Sequence, residues 1–122
     1  MKYWNQLFVL LTLCVFGGFI AHAYAIIDPT SIPNQSLGEH IFWVIADLSA
    51  CYFILNRHKY FLVILTIWLI QQWYFHGGIA LDLWKTEGIL AYSDISVVIF
   101  MPILFVFYAI DVFYIKESIQ YN

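Results

Sequence analysis

Four long apolar blocks punctuate this chain, and their lengths leave few choices of fold. LFVLLTLCVFGGFIAHAYAII covers residues 7–27, IFWVIADLSACYFIL 41–55, YFLVILTIWLIQQWYF 60–75 and ISVVIFMPILFVFYAIDVFYI 95–115. A helix crosses the hydrocarbon core of a bilayer, about 30 Å, in about 20 residues. The first and fourth blocks reach that length unaided. The second and third reach it only by taking in their polar ends. Between them lie NRHK, residues 56–59, which leave room for nothing but a tight hairpin between helices 2 and 3. Extended to ordinary length, the spans run over roughly 7–27, 37–56, 60–81 and 94–115.

Composition closes off the soluble alternatives. Of 122 residues, 63% are hydrophobic and only 11% charged, too few to clothe a soluble domain of this size. Five Lys and Arg cannot build a phosphate-binding surface, so nucleic acid is not an expected partner; the lipid bilayer is. Cys14 and Cys51 lie inside apolar blocks with no CxxC pair and read as small core residues. The expected fold is an all-α integral membrane protein, a single domain built as a bundle of four transmembrane helices.

Basic residues near the span ends orient such a bundle. Lys2, Arg57, Lys59 and Lys116 fall on one side and only Lys85 on the other. The reading is a protein of the bacterial cytoplasmic membrane with both termini cytoplasmic. Loops 28–38 and 77–93 then lie outside, with ALDLW of the second loop suited to the headgroup layer. One pattern competes. LFVLLTLCVFGGFI followed by AHAYA also resembles a signal-peptide core cleaved after Ala23 or Ala25. The apolar run continues through Ile26 and Ile27, and Gly17, Gly18 and Ala21 suit close helix packing, so the block is read as a retained span.

The polar residues inside the blocks carry the functional expectation. Centring the hairpin turn between Arg57 and His58 puts His40 level with His76, and Asp47 level with Trp68. His40, Trp43 and Asp47 share one face of helix 2; Trp68, Gln72 and His76 share one face of helix 3. These faces are expected to meet as a ligand-binding pocket in the outer third of the bilayer. His40, Asp47, Gln72 and His76 would supply its polar groups, Trp43 and Trp68 its walls. His22, near the outer end of the first span, lies at comparable depth, and Asp94 opens the fourth span on the same side. Asp111 reads as a separate residue reaching the inner interface.

Ionisable groups in lipid are costly and mark functional sites by default. Asp47 has no Lys or Arg at its level, so it either carries a proton or is compensated by His40, Gln72 or a bound cation. Three chemistries fit. A metal site would draw on His22, His40, His76 and Asp47 as nitrogen and oxygen ligands for zinc, copper or iron, although no H-x-x-H or H-x-x-x-H pair is present. A b-type haem would take two of the histidines as axial ligands. A proton, quinone or small-molecule site would use Asp47 or a histidine as its titrating group. The alternative from another class is a structural or accessory subunit whose polar residues only lock helices together. Four short spans leave little room for a transport path, so protein partners or a homo-oligomer are expected. With no phosphate loop and no nucleophile elbow, the chain carries no signature of an enzyme in its own right.

The layout of four short helices with the basic turn NRHK after the second resembles small DoxX-like membrane proteins, a resemblance of architecture that assigns no residue a role. Small multidrug-resistance transporters share the size and helix count but place an acidic residue in the first span. Residues 7–27 contain none.

Overall fold

The computed structural model describes residues 2–32 and 35–115. It contains α1 (Lys2–Ile27), α2 (Leu37–Asn56), α3 (Phe61–Glu87) and α4 (Tyr92–Ile110), the last continued by a π-helical segment, Asp111–Ile115. Among the described residues there is no strand. All four helical stretches are long and apolar enough to cross a membrane. The shortest, Leu37–Asn56, has 20 residues, about 30 Å at 1.5 Å per residue.

Local chemistry sets the helix ends. At the start of α2, Ser36 and Glu39 form a capping box: the Ser36 backbone N–H donates to Glu39 Oε2 (2.6 Å) and the Glu39 N–H to Ser36 Oγ (3.3 Å). After Asn56 the chain leaves the helix through Arg57, whose φ of 51° is left-handed, a conformation usually left to Gly or Asn.

The end of α3 corrects the sequence reading, which gave 77–93 to an outer loop. The helix instead runs unbroken through Gly77 and Gly78 to Glu87. Two glycines cost roughly 1 kcal/mol each relative to alanine, too little to break a helix continued by Ile79–Leu83. Gly88 ends it, with φ 67° and its N–H on the Trp84 carbonyl.

The chain forms two compact units, residues 1–56 and 57–122. In the first, α1 and α2 form an antiparallel hairpin, as the meetings of His22 with His40, Gly18 with Asp47 and Thr12 with Cys51 show. The buried positions recur at helical spacing: Phe8, Leu11, Thr12 and Val15 on α1, and His40, Asp47, Ala50, Cys51 and Ile54 on α2. Cys14 departs from the expectation that both cysteines are core residues. It lies on the exposed side of α1, one position off the buried stripe, while Cys51 is buried.

In the second unit α3 and α4 run antiparallel, fastened near one end by His76 with Asp94 and near the other by Phe61 against Tyr108. Asp111, expected at the inner interface, is 0% exposed, with Arg57 Nη1 3.2 Å from its Oδ1. Close by, the Tyr108 hydroxyl donates to the His58 carbonyl at 2.9 Å.

Candidate functional site

The first hairpin holds a polar seam. His22 sits on the last turns of α1 and His40 on the first turn of α2, and antiparallel packing brings their Nδ1 atoms to 3.2 Å. Two ring nitrogens at that separation form a hydrogen bond only when one bears a hydrogen and the other does not. The contact therefore holds one proton between two imidazoles. Trp43, one turn into α2 from His40, stacks on His22 with ring centroids 6.1 Å apart and planes 27° from parallel. His40 is only 1% exposed, and its other nitrogen, Nε2, has no partner among the described residues.

Two turns farther along α2 stands Asp47, 5% exposed. A Cβ at position 18 would lie 3.2 Å from Asp47 Oδ2, so the missing side chain of Gly18 is what admits the carboxyl group to the helix interface. Oδ2 is buried and has no partner among the described residues. A charge taken out of water without a partner costs several kcal/mol, and an unmatched buried polar atom about 1–3 kcal/mol.

Past Asp47, away from the 28–36 connection, the polar atoms are satisfied. The Thr12 hydroxyl donates to the Phe8 carbonyl at 2.8 Å, and Cys51 Sγ donates to the Thr12 carbonyl at 3.7 Å. Phe8, Leu11 and Ile54 are buried around them. At the opposite end the acidic groups are held by their own turns. Asp28 Oδ1 accepts from Thr30 Oγ at 2.6 Å and from the Thr30 backbone N–H at 3.1 Å. The Thr30 hydroxyl foremost, then its N–H, keeps the Asp28 carboxyl below the usual carboxylate range.

The remaining sequence-predicted residues belong to the second hairpin. Gln72 is buried and donates through Nε2 to Gln71 Oε1 at 2.7 Å. His76 Nδ1 lies 2.7 Å from Asp94 Oδ1. The Trp68 indole N–H is buried without a partner among the described residues. Beside them Trp73 Nε1 donates to the Val98 carbonyl at 2.7 Å.

The structure thus gathers His22, His40 and Trp43, with Asp47 farther along the same interface. Sequence reasoning named Gly18 and Asp94 without their partners and passed over Thr12. Gly18 had a signal, since a small residue one turn from His22 leaves room for a neighbour. The pairing of Asp94 with His76 and the Thr12–Cys51 closure had none, because both depend on helix registers that the loops do not encode. Among the described residues no three His, Cys, Asp or Glu side chains gather as a metal-holding group. Nor is the His22–His40 pair a bis-histidine haem site as it stands, because rings in hydrogen-bond contact leave no space for a macrocycle between them.

Compared with known proteins, the chain matches no family model, no curated protein and no solved structure.

Proposed function

We propose that this chain is a four-span protein of the bacterial cytoplasmic membrane that binds and releases a proton within its first hairpin, as one subunit of a larger assembly. The observation that carries this reading is the seam itself. A histidine pair that shares one proton, half-buried at His22 and buried at His40, and a buried carboxyl group with an unpartnered oxygen both lie in helices of membrane-spanning length. Of the small ligands that such a seam could take, a proton needs the fewest groups, and two imidazoles with one carboxyl suffice for it. In this arrangement Arg57–Tyr60 reverses the chain between the second and third spans. The basic residues Arg57 and Lys59 then put that turn, and both termini, on the cytoplasmic side.

The polar residues of the second hairpin have a simpler task in this reading. The His76–Asp94 and Trp73–Val98 contacts join α3 to α4, each contributing about 1 kcal/mol to helix association.

Infrared pH titration of the purified protein in lipid tests the proposal. A carboxyl carbonyl band should change with pH and be missing from Asp47→Asn. If Asp47→Asn and the unaltered chain titrate identically and differ only in thermal stability, the polar residues are structural and the chain is an accessory subunit. A Soret band or a stoichiometric metal in the same preparation would replace the proton with a cofactor. Reporter tags on the two termini should both be inaccessible from outside intact cells; an accessible tag overturns the orientation.

A further inference from the structure

The two ends of the seam differ in kind, and the difference gives the site a direction. Between the 28–36 connection and Asp47, two buried polar atoms are left open: His40 Nε2 and Asp47 Oδ2 have no partners among the described residues. Beyond Asp47 they are closed. Thr12 turns its hydroxyl back onto Phe8, Cys51 turns its thiol onto Thr12, and Phe8, Leu11 and Ile54 fill the interface.

We infer that Asp47 lies at the blind end of a half-channel, and that it exchanges its proton with only one side of the membrane, the side of the 28–36 connection, through the His22–His40 pair. This rests on the proposal that Asp47 binds a proton. The titratable groups facing Asp47 within the hairpin are His22 and His40 toward the connection and Cys51 away from it. Gly18 lies directly opposite. Asp28 and Glu39 stand at the mouth, each hydrogen-bonded within its own turn.

The transfer balances. The resting pair is neutral, with a hydrogen on His22 Nδ1 that is donated to His40 Nδ1, and a second hydrogen on His40 Nε2. A proton arriving from the mouth is taken up by the His22 ring. His22 then passes its Nδ1 hydrogen to His40 Nδ1, and His40 releases its Nε2 hydrogen toward the Asp47 carboxylate. Asp47 becomes a neutral acid, both imidazoles end neutral, and the hydrogen bond between them has reversed direction. His40 and Asp47 lie about 10 Å apart along the helix axis, a gap that direct transfer does not cross. Water is the ligand class that completes the connection, because it accepts from an imidazole N–H and donates to a carboxylate. No such connection leads the other way, since the thiol and hydroxyl there are already committed.

A hydrophobic carbodiimide, which modifies protonated carboxyl groups in apolar surroundings, is the probe. The full chain is placed in vesicles with the pH of each side set independently, and modification of Asp47 is read by peptide mass. Labelling should follow the pH on the side of the 28–36 connection and ignore the pH on the other. In His40→Gln, which keeps hydrogen-bonding capacity but cannot carry the proton onward, the response to a pH jump should slow by at least roughly tenfold. Labelling that follows both sides, or only the side away from the connection, overturns the half-channel while leaving Asp47 a proton-binding group. Labelling unaffected by pH on either side overturns both readings. The sidedness measurement on the unaltered chain stands even if a histidine variant fails to fold.

Discussion

Gly17 and Gly18 are adjacent in α1 and chemically identical, yet the fold treats them differently. A methyl group at position 17 would meet nothing within 4 Å, whereas one at 18 would press on the Asp47 carboxyl at 3.2 Å. Alanine at either site gains a similar helix propensity, up to about 1 kcal/mol. The difference between the variants therefore reads the contact alone. Gly17→Ala should leave the protein as stable or slightly more stable. Gly18→Ala should fall below it by about 1–3 kcal/mol, the usual cost of forcing an extra carbon into a packed interface. Thermal unfolding of the two in the same detergent checks this, and equal stabilities would mean that Asp47 does not lie against Gly18. The small-residue pattern in the sequence pointed to a close approach without saying to what. A carboxyl group is an unusual neighbour, and no periodicity rule reveals it.

At the scale of elements, block length was the most legible quantity, because a long apolar run shows the length of its helix whatever its side-chain detail. Residues 37–56 are helix end to end, and the start of α2 at Ser36 and Glu39 follows a readable capping pattern. The far end of α3 was illegible for a physical reason. A Gly-Gly pair followed by charged residues looks the same whether the helix stops or continues, and only the left-handed Gly88 decides. Consecutive single cysteines from Gly77 to Glu87 should react with a water-soluble maleimide at a period near 3.6 residues. Uniform reactivity along the stretch would restore the loop. The pairing of His22 with His40 was hidden for a related reason: the α1–α2 connection sets which residues face each other, and its length alone leaves the register open.

The chain divides into two compact units, residues 1–56 and 57–122, each with polar contacts of its own. Arg57 opens the second unit at a cost in backbone strain, about 1–2 kcal/mol for a left-handed residue other than glycine. Glycine there would relax the turn but lose the guanidinium held against Asp111. A buried carboxylate that loses its partner costs more than the turn regains. Arg57→Gly should therefore destabilise the protein by roughly 1–3 kcal/mol, and adding Asp111→Asn should recover part of that loss. A stabilising Arg57→Gly in denaturant titrations would show that the turn was shaped for other reasons.

The separation of Arg57 and Asp111, 54 positions in the chain, also orders events during synthesis. The ribosome delivers His22 and His40 only 18 positions apart, so both halves of that contact exist while α3 and α4 are still unmade. The second hairpin waits for the last helix, and until then Arg57 is a cation whose carboxylate partner has yet to be made. A nascent chain arrested before Asp111 should accordingly resist protease up to Asn56 and be cut beyond it. The proposed proton site would then be assembled before the protein is finished.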